Sequence, residues 1–311
     1  MILLLENMHP EAEALLERCE PLRRAADPNG PQPPSSDVHA ILTRGRGCIT
    51  KTLMDSFPEL RLIARVGAGL DNLDTAEAAR RKIPVIFAPG LNARTVAEHT
   101  LALMLDVVRR ITPWVNASAE GRWEDRGGYK GSELGGMTLG IVGYGSIGRR
   151  VARLASAFEM KVVVAARREK AIECEFPTMP LEELLSTADV ISLHLPLTNE
   201  TKGIIGRPQI ALMKPTACLI NTARGAHIDQ AALCEALLAN RLGGFAADVL
   251  DVEPPAADDP LLRSPRVVIT PHVSALTSTT YRQTNLFLAE NVVAVLEGRS
   301  PVARSVFRKG F

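Results

Sequence analysis

"MTLGIVGYGSIGRR", residues 137–150, decides how the rest of the chain is read. An apolar run leads straight into three glycines spaced G-x-G-x-x-G, Gly143, Gly145 and Gly148, and these open the helical stretch "SIGRRVARLASAF". Strand, glycine turn and helix in that order put the unpaired amides of a helix start, here at Ser146 and Ile147, where a pyrophosphate binds. Gly143 allows the tight turn, Gly145 lets the backbone approach the phosphate, and Gly148 lets helix and strand pack closely. The alternative is a glycine-bearing turn that binds nothing. A second strand, "KVVVAA", follows at the interval a dinucleotide-binding unit requires, and the expectation is such a unit.

That second strand runs on as "VVVAARREK" at 162–170. An acid at this point hydrogen-bonds the ribose hydroxyls of NAD and repels a 2'-phosphate; Ala165 and Ala166 do neither, whereas Arg167 or Arg168 would fork onto that phosphate. NADP is therefore expected over NAD. The competing reading is a solvated arginine pair, with Glu169 reaching back to the ribose.

Outward from this unit the pattern repeats. The strand candidates "DVISLHL", "ACLINTA", "GGFAADV" and "RVVIT" follow, with helices between most of them. The first ninety residues alternate "MILLL", "VHAILT", "LRLIARV" and "IPVIFA" with polar helical stretches. Such alternation predicts an α/β chain with two Rossmann-like, doubly wound parallel sheets. Residues 92–111 read as one long helix capped by Asn92 and apolar on more than one face, 112–136 as a long connection, and Thr277 to Glu297 as the final helix. The Pro-rich piece 27–37 reads as a surface loop.

Composition narrows the class. With 311 residues, the chain suits two domains. A net charge of +1 leaves no field to gather nucleic acid. "LALMLDVV" from Leu101 is cut by Asp106 and falls short of the roughly 20 residues of a membrane span. "MILLLE" reads as a strand rather than an export leader. The five cysteines contain no C-x-x-C pair, so neither a zinc cage nor a disulfide framework is expected, and a reducing cytoplasm fits. No metal is expected.

Of six histidines, His194 and His272 lie just beyond apolar strands, where ligands of open parallel sheets bind. Arg224 in "LINTARG" and the acids Asp248 and Glu253 in "AADVLDVEPP" lie at neighbouring strand ends. Arginine, acid and histidine so placed suit oxidation of an alcohol beside a carboxylate.

In order and spacing, "GYGSIG", "LHLPLTNET", "NTARG", "ADVLDVEPP" and "TPHVSA" resemble the D-2-hydroxyacid dehydrogenase family, and within it phosphoglycerate dehydrogenases and glyoxylate or hydroxypyruvate reductases. "RVGAGLDNLD" and "NARTVAEHTLALML" extend the resemblance over nearly the whole chain. It implies a catalytic triad of Arg224, Glu253 and His272. Arg224 would bind the substrate carboxylate and polarise the carbonyl, His272 would exchange a proton with that oxygen, and Glu253 would orient the imidazole and raise its pKa. It further implies that Ala68 and Gly69 amides hold the carboxylate, that Asp248 contacts the nicotinamide amide, and that Pro196 and Thr222 line the cofactor. The implied layout is a flavodoxin-like substrate domain, 1–92 plus 276–311, a dinucleotide domain, 93–275, a cleft between them, and a homodimer. Arg44, in "LTRGRGCIT", or Arg46 would take a second anionic group such as a phosphate, or else be a solvated loop arginine. Small neutral-tailed acids such as hydroxypyruvate stay open. "PHVSALT" has Ser274 and Ala275 where relatives often show glycine or alanine, and a regulatory domain is not expected. The rival readings are a corepressor-like scaffold and a formate dehydrogenase, the latter disfavoured by Glu253 standing where glutamine is used.

Overall fold

Each strand candidate named above forms a parallel strand, because a strand covered on both faces needs no polar alternation. The computed structural model describes residues 1–166 and 174–307. The chain divides into two units, Met1–Asn92 with Ala275–Phe311, and Ala93–Ser274. The first unit runs β1 (Ile2–Leu4), α1 (Pro10–Cys19), β2 (Leu22–Arg24), β3 (Ala40–Thr43), α2 (Lys51–Asp55), β4 (Leu62–Arg65), α3 (Thr75–Arg80) and β5 (Val85–Phe87). The second begins α4 (Ala93–Arg109), α5 (Ile111–Ala119), β6 (Thr138–Val142), α6 (Ser146–Ala157), β7 (Lys161–Ala165), α7 (Leu181–Thr187) and β8 (Val190–Leu193). It continues α8 (Arg207–Leu212), β9 (Cys218–Asn221), α9 (Gln230–Leu238), β10 (Gly244–Ala247), α10 (Pro260–Arg263) and β11 (Val267–Ile269). The chain then returns to the first unit in α11 (Ser278–Leu296).

The first sheet is ordered β2-β1-β3-β4-β5, the doubly wound order of flavodoxin-like folds. Alternate residues of its strands enter separate cores. Ile2, Leu4, Leu42 and Leu62 pack with Leu16 of α1 and Leu288 of α11, while Leu3, Ile41 and Ile63 pack with Met54, Phe57 and Ala78 on the other face. β2 is an addition to the strands expected from sequence. Its "LRR" is short and carries two arginines, which an edge strand with a single neighbour tolerates.

The second sheet is ordered β11-β10-β9-β8-β6-β7. Outside β7, Thr178 pairs in parallel with Val164 as a one-residue bridge. With that rudimentary strand the order becomes that of the Rossmann fold. The order reverses between β6 and β8, and the loops beyond their carboxyl ends flank the resulting crevice. α4 and α6 cover one face through Leu103, Met104, Val107, Val151 and Ala155; Leu184, Ile210, Leu233 and Leu237 cover the other.

Three expectations for 92–136 are corrected. The long helix ends at Arg109, because Arg110 adopts a left-handed conformation (φ 55°), and a separate helix, α5, starts at Ile111. Asn92 is no cap through its side-chain oxygen, which is buried without a hydrogen-bond partner. The connection is also structured, holding α5 and a 3-10 helix at Trp123–Gly128, with Trp114 tilted against Tyr129 at 5.8 Å. Among the described residues no helix is long and apolar enough to cross a membrane.

Candidate active site

At the end of β6, Gly143 turns the chain at φ +95°, a region that disfavours side chains, and a Cβ there would lie 2.4 Å from the His194 carbonyl oxygen. A Cβ on Gly148 would lie 2.2 Å from the Gly143 carbonyl oxygen, so α6 meets β6 only through glycine. Gly145 differs. Its Cβ direction opens onto space with nothing within 4 Å, and as N-cap of α6 it offers no side-chain cap to the amides that follow. The first amides of a helix have no intrahelical acceptor, and they carry its positive dipole end. The loop therefore fits a dinucleotide pyrophosphate, held by the amides around Gly145, Ser146, Ile147 and Gly148. β7 ends on Ala165, and Ala166 follows, so neither position offers a carboxylate. Arg167 and Arg168, the expected readers of a 2'-phosphate, lie outside the described residues.

β9, β10 and β11 deliver the three candidate catalytic side chains to one end of the sheet. Arg224 follows β9 in an extended conformation; its carbonyl accepts from Asn221 Nδ2 at 2.8 Å and its Nη1 donates to the Ala223 carbonyl at 2.7 Å. Asn221 is fully buried and also accepts the Ala223 amide at 3.0 Å, so it shapes this turn from below. Glu253 follows β10, and its Oε1 accepts the Leu250 amide at 3.0 Å. His272 follows β11, with Nδ1 2.7 Å from Glu253 Oε2. A carboxylate only accepts, so His272 Nδ1 donates and Nε2 is the free end for proton exchange. The two side chains are 47% and 37% exposed, which leaves the pair accessible to a ligand. Burial would raise the Glu253 carboxyl, but hydrogen bonds from His272 and the Leu250 amide, with the charge of Arg224, hold it below its ordinary value.

Asp248 is almost wholly buried at the end of β10. Its Oδ1 accepts from Thr270 Oγ1 at 2.5 Å and from the Val273 amide at 2.9 Å, and its Oδ2 accepts the Ser274 amide at 2.8 Å. The carboxylate thus grips the two residues after His272, a role its motif did not reveal. Thr222 is buried, its hydroxyl 2.9 Å from that of Thr100 on α4. Pro196 follows β8, and its carbonyl accepts from Thr201 Oγ1 at 2.7 Å.

His194 does not stand beside His272 as an exposed proton carrier. It is buried, with Nε2 2.9 Å from Ser192 Oγ and Nδ1 without a partner, and burial pushes its pKa down to about 3. His227 is fully buried and joins two loops, with its ring nitrogens 3.0 and 3.1 Å from the Thr201 and Leu195 carbonyls.

In the first unit, Ala68 and Gly69 follow a turn at Gly67 (φ +134°) beyond β4. Arg44, at the end of β3, has Nη1 3.3 Å from the Tyr281 hydroxyl and its guanidinium over that ring at 5.5 Å. Its loop is held by Glu6, whose carboxylate accepts the amides of Arg44, Gly45, Arg46 and Gly47 at 2.7 to 3.3 Å. Burial opposes the Glu6 charge, yet these amides lower its pKa below 4.5. A folded-state pKa below the unfolded one means stability that is present above pH 4.5 and lost as pH falls through the folded value. Glu6→Gln is accordingly expected to unfold at lower denaturant than the parent at neutral pH, with the gap closing in acid. Equal midpoints at neutral pH would contradict this.

Fold and glycine loop define a dinucleotide-binding α/β protein. Residues 101–274 match the family described as D-isomer specific 2-hydroxyacid dehydrogenase, NAD binding domain. The chain belongs to that family. It is 38% identical over 260 residues to a hydroxypyruvate reductase of Thermotoga maritima, covering 82% of this chain and 84% of that protein. It is 40% identical over 262 residues to a D-3-phosphoglycerate dehydrogenase of Bacillus subtilis, covering 83% of this chain and 50% of that one. The chain thus spans about half the length of the D-3-phosphoglycerate dehydrogenases it matches. Among solved structures, an NADPH-dependent glyoxylate/hydroxypyruvate reductase of Sinorhizobium meliloti, in complex with NADP and malonate, superposes with TM-score 0.90 at 28% identity, covering 100% of this chain and 98% of that one.

Proposed function

We propose that the chain transfers hydride between NAD(P)(H) and a small 2-hydroxy or 2-oxo acid of the 3-phosphoglycerate, hydroxypyruvate or glyoxylate class. The observation that carries this reading is the 2.7 Å pair of His272 and Glu253 at the strand ends that also carry Arg224. When bound, the reduced nicotinamide supplies the hydride. Arg224 offers the substrate carboxylate a planar fork and draws charge toward the carbonyl oxygen. His272 gives its Nε2 proton to that oxygen, and takes one back when the alcohol is oxidised. Glu253 keeps Nδ1 protonated, fixing which nitrogen faces the substrate. Ala68, Gly69 and Arg44 enter the proposal as further substrate contacts, and Pro196, Thr222 and Asp248 as residues lining the dinucleotide.

The missing acid after β7 favours NADP, with Arg167 and Arg168 as readers of its phosphate. Initial rates with NADPH and NADH, each against glyoxylate, hydroxypyruvate and 3-phosphohydroxypyruvate, test both halves of the reading. The expected result is NADPH preference that collapses in Arg167→Ala or Arg168→Ala, by about 10-fold or more if a charge-assisted fork is lost. NADH preference would make the arginines bystanders. No turnover of any 2-oxo acid would favour a dinucleotide-sensing scaffold, and formate oxidation would overturn the substrate class. A homodimer is part of the proposal, supported by Ile111, Val115 and Trp123, which α5 and its neighbour leave 47%, 60% and 63% exposed. Residence in the cytoplasm is supported by five free cysteines.

A further inference from the structure

We propose that His99 positions His272 from across the second unit, acting through Thr270 and Asp248; the inference rests on the acid-base role given to His272. His99 lies on α4, and its Nε2 is 2.9 Å from Thr270 Oγ1 and 3.6 Å from Asp248 Oδ1. Thr270 in turn lies 2.5 Å from Asp248 Oδ1. The direction of this chain follows from counting hydrogens. A carboxylate only accepts, so the single hydroxyl hydrogen of Thr270 goes to Asp248, which leaves the Thr270 oxygen as an acceptor. His99 must then carry its hydrogen on Nε2. The result is a one-way series from the His99 ring to the Thr270 hydroxyl to the Asp248 carboxylate, whose oxygens also receive the amides of Val273 and Ser274.

Those two amides belong to the residues immediately after His272, and His272 needs such support. Its φ is +54°, a left-handed conformation that is unfavourable for a residue with a side chain. The loop is held on its near side by the His272 amide, which donates to the Thr270 carbonyl at 2.9 Å, and on its far side by Asp248. Thr270 therefore takes part in both restraints. Without the His99 donor, the Thr270 hydroxyl keeps Asp248 as acceptor but loses the second partner that holds its side chain in place, and the Asp248 clamp loosens. Misplacing a reacting group by about 1 Å costs on the order of 100-fold in rate.

The test compares His99→Leu, His99→Gln and Thr270→Val, with His272→Ala as reference, using NADPH and hydroxypyruvate. His99→Leu and Thr270→Val are expected to lower kcat by about 10-fold to 100-fold while KM, dinucleotide affinity and melting temperature stay near the parent's. His99→Gln, whose amide N–H reaches the same hydroxyl, is expected to recover most of the rate. Combining His99→Leu with Thr270→Val should cost little more than Thr270→Val alone, because both cut one chain. A readout independent of turnover is the ring nitrogen resonances of labelled histidines: His99 should show the Nε2–H tautomer, and the His272 signals should move in His99→Leu but not in His99→Gln. Parent-like kcat and unmoved His272 signals in His99→Leu overturn the proposal, as does equal damage from Leu and Gln. If instead His272→Ala retains full activity while the His272 signals still respond to His99, the acid-base reading fails and the positional coupling stands.

Discussion

His272→Ala is expected to reduce turnover of 2-oxo acids by about 10²- to 10⁴-fold, the usual contribution of a positioned acid or base. Dinucleotide affinity should hardly change, since the phosphate-binding loop at Gly143 to Gly148 is built on β6 and α6 and owes nothing to β11. Hydride arrival at a carbonyl carbon leaves charge on its oxygen, and a proton delivered there as the charge develops lowers the barrier. The Glu253 pair leaves only Nε2 to deliver it. Single-turnover kinetics with preformed binary complex would separate chemistry from binding. A parent-like rate in His272→Ala would remove the acid-base assignment altogether.

Arg224→Ala is expected to act on both kinetic constants, which distinguishes it from the histidine. Loss of a forked, charge-assisted contact raises KM by about 10-fold to 100-fold, and loss of a donor at the developing oxyanion lowers kcat by about 10²-fold. Arg224→Lys keeps the charge without the fork and should fall between. The turn around Arg224 is set by buried Asn221, so the alanine variant should keep its fold. Steady-state kinetics on glyoxylate and hydroxypyruvate supply the measurement. An unchanged KM for these carboxylates would contradict the assignment.

The sequence exposed those parts of the molecule whose physics is local. Strands buried on both faces read as apolar runs, the G-x-G-x-x-G turn reads directly, and Arg224, Glu253 and His272 stand just past strands where a parallel sheet presents its ligands. What escaped is tertiary. β2 is three residues long and two of them are arginine, so only its pairing with β1 identifies it. The break at Arg110 has no glycine to announce it, and Pro113, three residues on, reads as part of the connection although it lies in the first turn of α5. His99 looked like one more position inside a helix because its partner Thr270 is 171 residues away. His194 had the right strand-end address, but its ring folds back onto Ser192, a fact of rotamer rather than of position.

The left-handed backbone at His272 also bears on engineering. Among the described residues, a search for heat-resistant variants that relaxes non-glycine residues in this conformation would choose from Lys82, Arg110, Glu159, Asn240 and His272. Glycine would be welcome at any of them on grounds of folding alone. At 272 the gain in robustness would be exchanged for the imidazole, so the chain keeps there a residue that folding resists.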